Sequence, residues 1–184
     1  MKLINNNLKT VGYINVVLIV IAIILRLIAI TVVPTIIKID AILCIAALAC
    51  GLIYALNGYK KDAAKYYKTF MYLYLISSVL SLGTSLSLAI ADLGNFGILM
   101  IISNIIITIS IFVLAFVKDF GEKKSNILSL LVLSLNILKL LSDISIKGIT
   151  TPIISAGFGN LILACILCVF VSAKYADKAS RGAK

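Results

Sequence analysis

Six long apolar stretches, separated by short polar segments, dominate the sequence. They cover residues 11–33, 40–58, 70–91, 97–117, 126–142 and 153–173. Crossing a hydrocarbon core about 30 Å thick takes roughly 20 apolar residues of helix, and each stretch is close to that length. The pattern therefore predicts an all-α protein, a polytopic integral membrane bundle of six transmembrane helices with short loops. Residues 1–184 form a single domain in this interpretation.

Composition supports the same class of protein. The chain has 184 residues, of which 62% are hydrophobic and 13% charged, and its mean hydropathy is +1.16. A water-soluble fold of this size cannot bury so much apolar surface. The first apolar stretch is longer than the core of a secretory signal peptide and is not followed by a small-x-small cleavage site. We therefore interpret it as an uncleaved first span.

The basic residues predict the orientation of the spans. Thirteen of the 17 fall on one side of the six-span arrangement, against Lys38 and Lys147 on the other. Short loops rich in Lys and Arg stay on the cytoplasmic side during insertion. Both termini are therefore expected to be cytoplasmic. A sequence rich in Ile, Leu, Lys and Asn suits a bacterium with a low GC content, which predicts a bacterial plasma membrane.

The net charge of +10 has a membrane explanation as well. The lysines flank the spans instead of covering one face of a soluble fold, so we expect contacts with anionic inner-leaflet lipids and no nucleic-acid partner. All eight tyrosines also fall at or near the lysine-rich ends of the spans. Because tyrosine favours the membrane interface, this distribution predicts a one-sided anchoring belt.

Two cations, Arg26 and Lys139, fall inside predicted spans. A charge there costs roughly 2.5 to 3.5 kcal/mol on insertion scales and is normally paired or functional. The acids of the predicted outer side, Asp40, Asp92 and Asp143, are expected at helix ends, which leaves the membrane interior without a carboxylate. The countercharge is then either an aspartate, with Arg26 paired to Asp92 or Asp40 and Lys139 to Asp143, or an anionic ligand or lipid headgroup.

Polar residues accompany both cations. In the fifth span, Ser129, Val132, Asn136, Lys139 and Asp143 share one helical face, which should face protein. Asn104 and Asn160 lie in the fourth and sixth spans. We predict an outward-facing polar pocket that binds a ligand through Arg26, Lys139, Asn136, Asn104 and Asn160.

Several kinds of chemistry are disfavoured. The chain contains no histidine, no G-x-S-x-G sequence and no glycine-rich phosphate loop. Cys165 and Cys168 have redox spacing, but cysteines within spans are more often packing residues. Ala47, Gly51 and Ala55 follow at four-residue intervals and predict a close helix contact. We expect no enzymatic activity, cofactor or metal.

Two functions remain open. The first is a small bacterial membrane protein that binds or transports a small, possibly anionic, solute or lipid. The second is a non-transporting scaffold, an immunity or assembly subunit, that binds another membrane protein or a further copy of itself. In topology alone, the layout resembles the substrate-capture subunits of energy-coupling-factor vitamin transporters. Their small-residue docking motif is not found between Gly12 and Arg26.

Overall fold

Six α-helices make up most of the described chain. The computed structural model describes residues 2–32, 35–57, 64–91, 95–117 and 120–182. The helices are α1 (Lys2–Val32), α2 (Thr35–Leu56), α3 (Ala64–Ala91), α4 (Asn95–Phe116), α5 (Glu122–Lys147) and α6 (Thr151–Gly182). No strand occurs within these ranges, so the all-α prediction is confirmed.

Each predicted apolar stretch lies within one helix, apart from one or two terminal residues. Four segments are long and apolar enough to cross a membrane, namely Lys38–Leu56, Gly97–Phe116, Glu122–Ser145 and Ala156–Tyr175. In α1 the corresponding segment, Tyr13–Ile28, is shorter. Length and composition thus indicate a membrane protein with at least four suitable helices among the described residues.

The outer surface of the bundle is also apolar. Large aliphatic side chains are about half exposed on several helices, including Ile24, Ile42, Ile76, Ile109 and Leu141. A soluble monomer rarely exposes so much contiguous apolar surface. Since the apolar residues cover the outside as well as the core, the bundle suits a hydrocarbon environment.

The helices form a closed ring in chain order. Each helix packs against the next one along the chain, and α6 packs back against α1. Consecutive helices are antiparallel, because the end of one helix lies beside the start of its neighbour. Tyr54 near the end of α2 contacts Tyr67 near the start of α3. Ser125 near the start of α5 contacts Tyr175 in the C-terminal part of α6. One end of the ring carries the described lysines Lys65, Lys68, Lys123, Lys124 and Lys174, and we call it the lysine-rich end; the opposite end, which carries Lys38, is the lysine-poor end.

Aromatic side chains fill the ring near the lysine-rich end. Phe170 of α6 makes edge contacts with Phe70 and Tyr54, at centroid distances of 5.0 and 5.3 Å. Tyr54, Tyr67 and Tyr74 are at most 8% exposed, so their rings pack between helices. The expected one-sided interface belt stays a prediction, because burial in the bundle does not report the depth of a side chain in a membrane.

The small-residue stripe of α2 faces this aromatic cluster. Ala47, Gly51 and Ala55 are all buried. A Cβ atom at Gly51 would come within 3.1 Å of the Phe170 ring and 3.4 Å of Phe70. The stripe therefore leaves room for aromatic side chains of the same chain, and the predicted close approach of another helix stays a prediction.

Glycine defines both ends of α5. Gly121 precedes the helix with φ of 84°, and Gly148 follows it with φ of 74°. These left-handed conformations cost glycine little because it has no Cβ. The Gly148 N–H donates to the Ile144 carbonyl and closes the last turn.

Candidate functional site

Arg26 is the centre of a polar network inside the ring. Its side chain is only 1% exposed, although it lies six residues, about 9 Å of helix rise, before the end of α1. The guanidinium Nη2 donates a hydrogen bond to Oδ1 of Asn160 on α6. Its Nη1 lies 3.6 Å from Oδ2 of Asp40 on α2. The expected burial of Arg26 is confirmed, and three helices meet at its side chain.

Asp40 supplies the countercharge within the bundle. Because α2 begins at Thr35, Asp40 lies more than one helical turn inside the helix and is 15% exposed. Asp40 thus lies in the second turn of α2, and the expectation that the membrane interior contains no carboxylate stays a prediction. Of the two predicted partners of Arg26, the structure selects Asp40, while Asp92 lies outside the described residues.

Both carboxylate oxygens of Asp40 have partners. While Oδ2 faces Arg26, Oδ1 accepts a hydrogen bond from the Ser77 hydroxyl of α3. The Cys44 thiol lies 3.1 Å from the same hydroxyl oxygen and 3.9 Å from Asp40 Oδ1. A carboxylate that accepts from several donors is better stabilised away from water than an isolated one. The network thus links α1, α2, α3 and α6.

Lys139 forms a second group of polar contacts. Its Nζ donates to Oδ1 of Asn104 on α4 at 3.0 Å and to the Ser81 hydroxyl of α3 at 3.3 Å. The side chain is half-buried. These contacts link α3, α4 and α5, the helices on the other side of the ring. The predicted pairing of Lys139 with Asp143 stays a prediction.

Helix α3 connects the two groups. Ser77 contacts Asp40, and Ser81, one helical turn later, contacts Lys139. Residues four apart lie on the same side of a helix, so both hydroxyls face the interior at neighbouring levels. We call the Arg26, Asp40, Asn160, Ser77, Lys139, Asn104 and Ser81 side chains the polar layer. It lies nearer the lysine-poor end and includes residues of all six helices.

The five predicted ligand-binding residues therefore occupy three places. Arg26 pairs with Asn160, and Lys139 pairs with Asn104. The fifth, Asn136, is buried but donates to the Val132 carbonyl of its own helix at 2.8 Å. Among the described residues it makes no hydrogen bond to the other four. Ser129 and Val132, which share the helical face of Asn136 on α5, are also buried. The prediction that this face of α5 faces protein is therefore confirmed.

Gly159 is a site residue that sequence analysis missed. A Cβ atom at this position would lie 2.9 Å from Arg26 Nε and 3.3 Å from its Cδ. The arginine stem thus runs across the bare backbone of α6, one residue before Asn160. The only signal for Gly159 in the sequence is a glycine directly before a polar residue in an apolar span. This pattern does not indicate that Arg26 packs against it.

One donor of the buried guanidinium has no acceptor in the part of the chain that the structure describes. Arg26 Nε is enclosed and makes no hydrogen bond to any described residue. A buried donor without an acceptor costs free energy unless water or a ligand supplies one. The polar layer therefore contains a buried N–H donor without a described acceptor, beside the Arg26–Asp40 ion pair.

Other chemistry is sparse in the described residues. All four cysteines are free, and no group of three or more Cys, Asp or Glu side chains could hold a metal ion. No protein-family model matches this chain, and comparison with curated proteins and with solved structures finds no similar protein.

Proposed function

We propose that this chain is a six-span protein of a bacterial plasma membrane, with both termini in the cytoplasm. We further propose that it binds or transports a small anionic solute or a lipid headgroup at the polar layer. The ligand would enter from the lysine-poor end, which is the outer end in this orientation. No chemical step is required, so the function is binding or transport without catalysis.

The buried guanidinium with its unused Nε is the observation that carries this proposal. An arginine presents several donors in one plane and suits a carboxylate or phosphate group. Here Nη1 faces Asp40 and Nη2 contacts Asn160, while Nε has no described acceptor. An anionic ligand would use Nε and compete with the Asp40 carboxylate for the same cation.

Lys139 supports the proposal through its place in the layer. Its ammonium lies on the same side of α3 as Ser77, one turn from the Asp40 contact. Lys139 and Asn104 would then meet a second part of the ligand, because α3 brings the two groups to adjoining levels. Movement of α3 would displace the Ser77 contact with Asp40 and the Ser81 contact with Lys139 together. Transport requires such a coupled change in the parts of a binding site.

The scaffold alternative also has a specific observation in its favour. Asp40 already neutralises Arg26, and the network joins four helices without a ligand. In such a protein the polar layer would fix the order and register of the helices. The apolar outer faces would then bind another membrane protein or a second copy.

Ligand-induced stabilisation distinguishes the two functions. Purified protein is heated with small carboxylates, inorganic phosphate or short-chain anionic lipids, and its melting temperature is compared among the wild type, Arg26→Gln and Asp40→Asn. We expect an anion to stabilise the wild type, to stabilise Asp40→Asn more because its competitor is gone, and to leave Arg26→Gln unchanged. The exposed Glu122 provides the control, since Glu122→Gln removes an acid far from the layer.

The scaffold function predicts a different result. No anion would raise the melting temperature of the wild type, and the two layer variants, Arg26→Gln and Asp40→Asn, would differ from it in stability alone. That outcome would replace the binding proposal with the scaffold.

A further inference from the structure

A shallow cleft opens at the lysine-rich end, where α3, α4, α5 and α6 meet. Its polar lining comes from Tyr67, Ser125, Lys174 and Tyr175, and its apolar wall includes Leu114 and Val117. The cleft lies at the opposite end of the ring from the polar layer. Its side chains therefore have no part in the function proposed above.

Two aromatic rings hold the cation of this cleft. Lys174 Nζ lies 5.7 Å from the ring centroid of Tyr67 and 5.5 Å from that of Tyr175. An ammonium within about 6 Å of an aromatic face is attracted by the ring and loses part of its mobility. Its charge is thus positioned at the cleft.

A pair of hydroxyls lies beside this cation. The Ser125 and Tyr175 oxygens are 2.8 Å apart, and either one can donate the hydrogen bond between them. That bond uses one of the two hydroxyl protons, so the second proton is left for another acceptor. The cleft therefore combines a cation with a hydroxyl donor.

The start of α5 adds backbone donors at the same place. The first bond within this helix runs from the Ser125 N–H to the Gly121 carbonyl, at 3.0 Å. No side chain caps the helix at Gly121, so the preceding N–H groups have no acceptor within the helix. The helix dipole makes this end favourable for an anion. The single acid of the first turn, Glu122, is exposed.

Apolar surface continues from the cleft along α4. Val117 forms part of its wall and is 42% exposed, and the neighbouring Phe116 is 51% exposed. One turn further, Phe112 stacks on Phe116 with a centroid distance of 4.8 Å. Such an apolar surface offers a free phosphate ion no favourable contact, whereas the acyl chain of a lipid would pack against it.

We propose that this cleft binds the phosphate group of an anionic phospholipid. Lys174 supplies the charge, Ser125 and Tyr175 supply a hydroxyl proton, the first turn of α5 supplies N–H groups, and the acyl chains lie along α4. The proposal rests on the membrane location proposed above but not on the orientation of the chain or on a ligand at Arg26.

Lipid binding to detergent-purified protein provides the test. Native mass spectrometry would count phosphatidylglycerol and phosphatidylcholine molecules bound to the wild type, to Lys174→Gln and to Lys65→Gln. Lys65 is the matched control, because it lies at the same end with its Nζ 5.1 Å from the Tyr66 ring but does not line the cleft. We expect phosphatidylglycerol to bind the wild type more tightly than phosphatidylcholine, and Lys174→Gln to weaken it about fivefold. Lys65→Gln should change it little.

Several outcomes would overturn the lipid site. Equal losses in Lys174→Gln and Lys65→Gln would mean general attraction by surface charge. Equal binding of the two lipids would remove the selectivity for an anion, and equal stabilisation by inorganic phosphate would remove the role of the acyl chains. If Lys174→Gln does not fold, Ser125→Ala and Tyr175→Phe test the hydroxyl pair instead, and unchanged binding in both would contradict the proposal.

The two proposals fail in different ways. Arg26→Gln should keep phosphatidylglycerol at the cleft even if it abolishes anion binding at the polar layer. Loss of lipid in Lys174→Gln alone leaves the Arg26 site unaffected. Recovery of the whole protein in a detergent-free soluble fraction would overturn both.

Discussion

Gly159 of α6 lies directly against the side chain of Arg26 of α1. A Cβ atom at Gly159 would be 2.9 Å from Arg26 Nε and 3.4 Å from Cγ. Because the next residue, Asn160, accepts a hydrogen bond from Nη2, α6 gives the guanidinium both its space and a partner. The burial of this cation thus depends on a residue that carries no functional group.

We expect Gly159→Ala to displace Arg26 and destabilise the protein. Overpacking of this kind costs about 1 to 3 kcal/mol, and the shift would also strain the hydrogen bond to Asn160. Thermal unfolding in detergent measures the effect. The control is Gly83→Ala, since a Cβ at this exposed position of α3 meets no atom within 4 Å. Equal melting temperatures for the two variants would contradict the packing of Arg26 on Gly159.

The ion pair between Arg26 and Asp40 predicts non-additive mutations. Removing one member leaves the other as a buried, uncompensated charge, which costs about 3 to 5 kcal/mol. Asp40→Asn and Arg26→Gln should therefore each lower the melting temperature strongly. In the double variant no buried charge is left, so we expect it to be more stable than Asp40→Asn alone.

A double-mutant cycle in detergent measures this coupling. Additive effects of the two substitutions would mean that the carboxylate and the guanidinium do not interact in the folded protein. Ser77→Ala is a useful companion variant, because it removes a donor to Asp40 without removing charge. Its effect should be smaller than that of either charged residue.

Sequence reasoning predicted the helices because each one is a long apolar run between polar segments. It also predicted that Arg26 is buried, since hydrocarbon offers a guanidinium no partner. It placed Asp40 at a helix end, because Asp40 is the first residue of the predicted second stretch. The helix begins earlier, at Thr35, since apolar residues precede Asp40 as well, so Asp40 lies in the second turn of the helix.

The pairing of the site residues was not accessible from the sequence. Periodicity assigns residues to a helix face but does not say which distant helices touch. Contact between α1 and α6 closes the ring, and it is this contact that brings Asn160 to Arg26. Asn136 was predicted to bind a ligand from its position on the α5 face, yet its amide donates to its own helix, an option open to any buried asparagine in a helix.

The contact between α5 and α6 predicts a rescue by a second mutation. A Cβ at Gly157 would lie 2.3 Å from Cδ1 of Leu140, which is 7% exposed. Gly157→Ala should therefore cost about 1 to 3 kcal/mol through overpacking. Leu140→Ala removes the clashing methyl group, so the cost of Gly157→Ala should vanish in the Leu140→Ala background. Melting temperatures of the four proteins test this, and an equal cost in both backgrounds would place the helices further apart.

The last prediction concerns orientation. In the six-span arrangement the lysine-rich end is cytoplasmic, because Lys and Arg of short loops are retained inside. Lys65 and Lys38 are exposed at opposite ends of the ring, so they form a matched pair for cysteine labelling. With the four native cysteines replaced by alanine, an impermeant thiol reagent added to intact cells should label Lys38→Cys and leave Lys65→Cys unlabelled. Both should react after the cells are opened, which controls for accessibility. Labelling of Lys65→Cys alone in intact cells would reverse the orientation and move the entrance to the polar layer to the cytoplasm, and labelling of both would exclude the six-span arrangement.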